Sequence, residues 1–231
     1  PVIKDVSFSG KKGEVIAFIG STGSGKSTLI NLIPRFYDVT KGSIKIDGVD
    51  VRDYDLKYLR KKIGFIPQKT LLFTGSIANN IKFGKKDAEY KEVEDSAKIA
   101  QAYEFISNKP NKFDEIITEG GSNVSGGQKQ RLSIARAIVR KPDIYIFDDS
   151  FSALDFKTDA ILRKELRSET KDAIVLIVAQ RIGSIMDADK IIVLNEGEVV
   201  GIGTHKELIK NCPIYHEIAT SQLTEEELAN E

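Results

Sequence analysis

The chain has 231 residues, 41% of them apolar, which is enough for one sizeable α/β core with room for an inserted sub-domain. Its 34 basic residues balance 34 acidic ones with no basic block, which argues against nucleic acid or an anionic membrane surface as a partner. A single cysteine, Cys212, excludes an internal disulfide and suits a reducing compartment. The longest apolar runs, such as Ala173 to Ala179, are far too short to cross a bilayer, and no signal peptide precedes the core. The chain starts at Pro1 and its only methionine is Met186, so it reads as a piece of something longer.

In chain order, Val2 to Phe8 alternates apolar and polar residues and predicts a strand. Lys11-Lys12-Gly13 turns the chain into an apolar run, Val15 to Ile19, that reads as a buried strand. Then comes Gly20-Ser21-Thr22-Gly23-Ser24-Gly25-Lys26-Ser27-Thr28, followed by the helix-like Leu29 to Ile33. Strand, glycine-rich turn and helix are the context in which G-x-x-x-x-G-K-[ST] makes a phosphate cradle. The glycines let successive backbone N–H groups point into one concavity, and the helix N-terminus adds its positive dipole end. Lys26 supplies a point charge for the β- and γ-phosphates, and the Ser27 hydroxyl is placed to hold Mg²⁺. The chain is therefore expected to bind a nucleoside triphosphate.

Ser43 to Gly48 predicts a short strand ending in an Asp-Gly turn, and Ile63 to Ile66 a strand stopped by Pro67 and followed by Gln68. From Ser76 to Ser107 charge rises and Val93, Ala97, Ala100 and Phe105 recur at helical spacing, which predicts an inserted helical region. Gln128 to Arg140 is helical by pattern, with Leu132, Ala135, Ile138 and Val139 on one face, and Lys141-Pro142 ends it. Strands are expected at Ile144–Phe147, Ala173–Val178 and Lys190–Leu194, with a helix over Lys157–Arg167 between the first two. After Gly203, two short amphipathic segments close the chain. Near-continuous apolar strands alternating with helices predict a mostly parallel sheet covered on both faces.

Two further stretches carry chemistry. Ile144 to Phe147 runs into Asp148-Asp149, and in a phosphate-loop protein the first carboxylate, Asp148, orders Mg²⁺, usually through water. Asn123-Val124-Ser125-Gly126-Gly127-Gln128 opens a helix that Ser125 caps, with two glycines exposing backbone N–H groups, so it too is built for a phosphate. One triphosphate needs only one cradle, so the second is expected to serve a nucleotide held mainly by another subunit.

With Ser125-Gly126-Gly127-Gln128-Lys129-Gln130-Arg131, the phosphate loop, the Asp148 strand and Ser152-Ala153-Leu154-Asp155 in place, the chain resembles an ABC transporter nucleotide-binding domain over essentially its whole length. The resemblance implies a RecA-like phosphate-loop core over residues 1–70 and 141–210, an inserted helical sub-domain over 71–140 ending in the signature helix, and a C-terminal helical tail over 211–231. It places Gln68 at the Q-loop glutamine, which touches Mg²⁺ and faces the membrane domain. Thr70 to Ile77 resembles the stretch after it in exporters, Thr118 to Gly121 lies where exporters carry the X-loop, and Asp155 matches the D-loop aspartate that crosses the dimer interface. The implied assembly is a head-to-tail pair of such domains with two ATPs between one partner's phosphate loop and the other's signature. It would work on transmembrane domains at the cytoplasmic face of the cell membrane.

Two positions depart from the family, and both are catalytic. Asp149 stands where the family has the glutamate that polarises the attacking water, one methylene shorter, about 1.5 Å of reach. Gln180 stands where the switch histidine follows its strand; it can hydrogen-bond a γ-phosphate but cannot carry positive charge or pass a proton. Groups that bind nucleotide are intact while both groups that turn over water are altered. The chain therefore most resembles the degenerate-site half of a heterodimeric exporter, whose signature completes a competent site on a partner. A regulatory module that senses ATP without turnover, and a homodimeric exporter domain that hydrolyses ATP itself, are the alternatives. The aromatic residue on which the family stacks adenine comes from a strand upstream of Val2, outside this sequence.

Other families fit less well. Asn108-Lys109-Pro110-Asn111 grazes the N-K-x-D of small GTPases but lacks its aspartate and reads as a turn, and no sustained heptads support a chromosome-maintenance ATPase. His205, expected near a helix start capped by Thr204 or a neighbour, and His216 offer too little for a metal site.

Overall fold

A strand with a near-continuous apolar run must bury both faces, because successive side chains point to opposite sides. The computed structural model, which describes residues 2–223, buries five such strands. In chain order come β1 (Val15–Ile19), α1 (Lys26–Leu32), the hairpin of β2 (Lys45–Ile46) and β3 (Val49–Asp50), α2 (Leu56–Lys61) and β4 (Ile63–Ile66). Next are β5 (Gly75–Ser76), α3 (Ile77–Lys82), α4 (Tyr90–Ile99), α5 (Tyr103–Ser107) and β6 (Ile116–Ile117). Then follow α6 (Gly126–Ile138), β7 (Ile144–Asp148), α7 (Phe156–Glu169), β8 (Ile174–Val178), β9 (Lys190–Asn195), β10 (Glu198–Gly203), α8 (His205–Asn211) and α9 (Pro213–Thr220).

The main sheet runs β10-β9-β1-β8-β7-β4, parallel throughout except for β10. Alternate residues divide its core in two. Ile16, Phe18, Ile146 and Leu176 face α1 and α2 through Leu29, Ile30 and Leu59. Ala17, Ile19, Phe147 and Ile177 face α6 and α7 through Leu132, Ala135, Leu162 and Leu166. This is the α/β phosphate-loop architecture that the apolar runs predict, and β1 and β4 start and stop where those runs do.

Some expectations fail in instructive ways. Val2 to Phe8 is not a strand: Lys4 N–H donates to Gly197 O at 2.8 Å, but no ladder follows. Its alternation reflects packing of Ile3, Val6 and Phe8 on the α1 side, with Phe8 edge-on to Phe18 at 5.3 Å. The strand expected over Ser43 to Gly48 is confined to Lys45–Ile46, which turns back through Asp47 (φ 51°) and Gly48 (φ 81°). Edge strand β10 is an addition to the expected sheet; Glu196 (φ 47°) and Gly197 (φ 83°) make the tight turn into it, and its two glycines and half-exposed positions hide it from a periodicity count. Of the tail expected over 211–231, residues 224–231 lie outside the described residues.

The segment between β5 and α6 is helical as expected, with Val93, Ala97 and Ala100 fully buried. Pairing of Gly75 with Ile117 brings its two ends together. Arg136 of α6 fastens α3 to the chain after β4: Nε donates to Asn80 O at 2.9 Å, Nη1 to Leu71 O at 2.9 Å and Nη2 to Asn80 Oδ1 at 3.1 Å. Burial pushes its pKa down to about 10, and it lies 5.4 Å from the Phe73 ring and 5.8 Å from that of Phe83. Gly84 passes so close to α6 that a Cβ would overlap the Arg136 carbonyl oxygen and approach Val139 Cγ1 at 3.2 Å. Gly84→Ala is therefore expected to lower the unfolding free energy by about 1–3 kcal/mol in denaturant titrations. Gly183→Ala, with nothing within 4 Å of the added carbon, should change it by less than about 0.5 kcal/mol.

Candidate functional site at the carboxyl edge of the sheet

Parallel pairing sets β1, β8 and β7 side by side with their carboxyl ends at one edge, where ligands of open α/β sheets bind. Phe18 pairs with Val178, and Asp148 with the same residue. Ala179 N–H donates to Phe18 O at 3.1 Å and Asp149 N–H to Val178 O at 2.9 Å, so the pairing continues into the loops. Three stretches far apart in sequence thus leave the sheet together.

The loop after β1 turns on Gly20, Gly23 and Gly25, all at positive φ. At Gly20 (φ 154°) a side chain would overlap the Leu194 carbonyl oxygen, and at Gly25 (φ 98°) it would meet Ile3 Cδ1 at 2.6 Å. Gly25 is the N-cap of α1 and offers no side-chain acceptor, so no cap competes with an anion for the first-turn N–H groups. Lys26 is only 8% exposed. Its Nζ donates to Gly20 O and Ser21 O, both at 2.8 Å, and to Ser24 Oγ at 3.2 Å. Burial holds its pKa down, against the pull of Asp149 and Asp148. A desolvated ammonium satisfied by neutral oxygens, with no ion pair of its own among the described residues, is a site of unspent positive potential. Ser21 takes part through its carbonyl; Thr22 and Thr28 make no side-chain hydrogen bond among the described residues.

Ser27 Oγ donates to Asp148 Oδ1 at 2.8 Å, bringing a hydroxyl and a carboxylate together as hard oxygen donors of the kind Mg²⁺ takes. Asp149 sits beside them in the left-handed region, at φ 48°, and is 8% exposed. Its Oδ2 accepts from Gln68 Nε2 at 2.9 Å and from Gln180 Nε2 at 2.7 Å. Burial pushes both carboxyls upward, Asp148 against its Ser27 bond and Asp149 against its Gln68 bond, with Asp148 adding repulsion to Asp149. Lys26, Ser27, Gln68, Asp148, Asp149 and Gln180 are therefore one cluster. It can hold phosphate, a hard divalent cation and a water poised against a carboxylate.

The second predicted cradle stands apart from this cluster. Ser125 caps α6 in a reciprocal box: its Oγ accepts from Gln128 N at 3.2 Å, and Gln128 Oε1 accepts from Ser125 N at 3.1 Å. Gly126 has open space above it, while a Cβ on Gly127 would come within 3.1 Å of Ala153 O. Asp155 caps α7, its Oδ1 accepting from Thr158 N at 2.9 Å and its Oδ2 from Thr158 Oγ1 at 2.7 Å, and these bonds hold its pKa down. The signature turn and the Asp155 loop are thus neighbours. Elsewhere, His205 opens α8 under a Thr204 cap, as expected, with Nδ1 2.6 Å from the Tyr215 hydroxyl.

Of the residues that brace the cluster, sequence reasoning named Ser152, within the Asp155 motif, and missed Ser150 and Arg181. Ser150 Oγ donates to Ile66 O at 2.9 Å, Ser152 Oγ to Asp149 O at 2.8 Å and Arg181 Nη2 to Ser152 O at 3.1 Å. Their partners are main-chain carbonyls, which leave no mark in a sequence.

Comparison with known proteins finds relatives over nearly the whole chain. A family profile described as ABC transporter matches residues 3–152. An uncharacterized ABC transporter ATP-binding protein of Mycobacterium tuberculosis (strain H37Rv) is 44% identical over 225 residues, 96% of this chain and 38% of the relative. A putative multidrug export ATP-binding/permease protein of Staphylococcus aureus (strain NCTC 8325) is 46% identical over 222 residues, again 96% of this chain and 38% of the relative. A bacterial Atm1-family ABC exporter solved with ATP bound superposes with a TM-score of 0.93 at 36% identity, covering 97% of this chain and 40% of that one. The chain thus spans about two-fifths of the length of the relatives it matches.

Burial of Asp149 has a consequence for stability. Its carboxyl is raised above the ordinary 3.8 in the folded chain, so the unfolded chain releases its proton first. The contribution to stability is full below the unfolded value and is lost as pH rises through the folded one. Asp149→Asn should therefore stabilise the ligand-free chain at pH 7, with the gain shrinking toward about pH 4. Denaturant melts at the two pH values check this; an equal gain at both would assign it to the better fit of asparagine at φ 48° instead.

Proposed function

Because this chain belongs to the ABC transporter family, we propose that it is the ATP-binding and ATP-hydrolysing domain of an export-type transporter, working as one half of a head-to-tail pair. The observation that carries the proposal is the single cluster at the sheet edge; the capped start of α6, with open space above Gly126, is proposed to meet a second nucleotide. Residues 1–70 and 141–210 are assigned to the core, 71–140 to the helical sub-domain and 211–231 to the tail.

Within its own site Lys26 exchanges loop carbonyls for the β- and γ-phosphate oxygens, with the backbone N–H groups of residues 20–28 around them. Ser27 and Asp148, with Gln68 beside them, are the residues that would hold Mg²⁺. The ion, when bound, neutralises charge on the phosphates. Asp149 accepts from the attacking water, and Gln180 offers its amide to Asp149 and the γ-phosphate. Gly126, Gly127 and the capped start of α6 meet the nucleotide held by the other domain, and Asp155 crosses between them. Leu71, Phe73 and Phe83, which are 70%, 46% and 58% exposed, form an apolar surface beside Gln68 for membrane helices of the same transporter. A domain docked in this way would work at the cytoplasmic face of a membrane; among the described residues no helix is long and apolar enough to cross one.

Turnover at this chain's own site is supported by a buried carboxylate gripped by two amides at the end of β7. A second assignment, a slow site paired with a competent site on a different chain, is favoured by the short reach of Asp149 and the uncharged Gln180. The ATPase of the chain in isolation separates them. Hydrolysis rising with the square of concentration, and falling on the order of 100-fold in Asp149→Asn, fits a pair of identical copies. Turnover only with a second kind of domain, and indifferent to Asp149→Asn, fits the unequal pair. Lys26→Ala should weaken nucleotide binding by on the order of 100-fold in titration calorimetry under either assignment. Gly127→Asp should leave binding at this chain's own loop intact while blocking turnover opposite it; equal loss of both would break the proposed division of labour.

A further inference from the structure

Gln180 is held at the front by Asp149, but its main chain needs a hold of its own. The segment Gln180-Arg181-Ile182 joins β8 to a short turn of 3-10 helix and belongs to no ladder. Ile182 is fully buried, so its N–H needs a partner. That partner comes from the far end of the chain. Gln222 Oε1 accepts from Ile182 N at 2.8 Å, and the same side chain's Nε2 donates to Gln180 O at 2.8 Å. One amide group thus brackets the segment as a neighbouring strand would, satisfying its donor and acceptor together.

The bracket is anchored. Gln222 follows α9, and its own N–H donates to Ala219 O at 3.0 Å. Ala219 and Tyr215, both fully buried, seat α9 in the core on the α6–α7 side of the sheet. From the opposite side Arg181 donates to Ser152 O at 3.1 Å and Leu154 O at 3.4 Å, in the loop that follows Asp149. Between these two holds the exposed Gln180 side chain donates to Asp149 Oδ2 at 2.7 Å.

We propose that Gln222 is a positioning residue for Gln180, through which the C-terminal segment sets the alignment of the hydrolytic cluster. The proposal rests on the assignment of Gln180 to the γ-phosphate. A side chain that only stabilised the fold would change melting temperature without caring whether Gln180 is present. One that acts through Gln180 makes the two residues energetically inseparable.

The test is a double-mutant cycle on the full chain. Gln222→Met keeps length and loses both hydrogen bonds; it should lower kcat about five- to tenfold, as for two neutral hydrogen bonds, with KM for ATP little changed. In a Gln180→Ala background the same change should add no further loss; independent, multiplying losses would overturn the proposal. Amide exchange supplies a readout that needs no turnover. The Ile182 N–H should exchange at least about tenfold faster in Gln222→Met, and unchanged exchange would overturn the proposal whatever the ATPase shows. Should Gln222→Met not fold, Gln222→Ala, which also loses both the acceptor and the donor, takes its place in both measurements. A wild-type chain that protects Ile182 yet hydrolyses nothing in any pairing would overturn the hydrolytic assignment of the cluster, and the catalytic role of Gln222 with it.

Discussion

The parallel hydrogen bonding of β1 between β8 and β9, with β7 on the far side of β8, is the constraint from which the site follows. Lys26 and Asp148 are separated by more than half the chain, yet one sheet register delivers Ser27 Oγ to within 2.8 Å of Asp148 Oδ1. A shift of one residue would turn every side chain of a strand to the opposite face. Both faces are apolar, so hydropathy alone does not forbid that shift; the fit of side chains of different size and shape in the two layers opposes it. Packing therefore fixes the register, and the register fixes the chemistry. The helices on either face help to hold that register, and α1 also carries Lys26 and Ser27 of the site itself.

The electrostatics of the ligand-free cluster are unsettled in a purposeful direction. Lys26 is pulled down, Asp148 and Asp149 are pushed up, and burial is the leading cause for all three. Each group would prefer more solvent or a closer opposite charge than the chain supplies. Phosphate oxygens beside the ammonium and a cation beside the carboxylates would relieve all three at once. Perturbed groups of this kind tend to gather where ligands act. The helix-capping carboxylate of Asp155 shows the contrast: satisfied by Thr158, it is held below its ordinary range and has no such demand.

Much of the fold was legible because its strands are near-continuous apolar runs and its punctuation is chemically strong. Val15–Ile19, Ile63–Ile66 and the helix opened by Ser125 are each bounded by residues whose backbone demands are local. Legibility ended where structure depends on distant backbone. Val2 to Phe8 carries a strand's alternation but finds only Gly197 O to pair with, while β10 carries little alternation and is a strand because β9 lies beside it. In the site, Lys26, Ser27 and Asp148 are proposed to touch ligand from residue type and spacing, and Gln68, Asp149, Gln180 and Asp155 from the family resemblance. Those that brace them, Ser150, Ser152, Arg181 and Gln222, hydrogen-bond to main-chain atoms, a role visible only in three dimensions.

The same limit bears on the two departures from the family pattern. Read along the chain, Asp149 and Gln180 are separate losses, one of reach and one of charge. In the folded chain they are a single hydrogen-bonded unit, 2.7 Å apart, with Gln68 completing it at 2.9 Å. A carboxylate shortened by one methylene is drawn into a fixed place by an amide that spans the gap to it. The left-handed backbone at residue 149 fits the same logic, since a short polar side chain tolerates φ 48° better than most longer ones. Contacting residues do not contribute independently. Under the proposed function, the effect of a glutamate or a histidine at one position would therefore depend on the residue at the other.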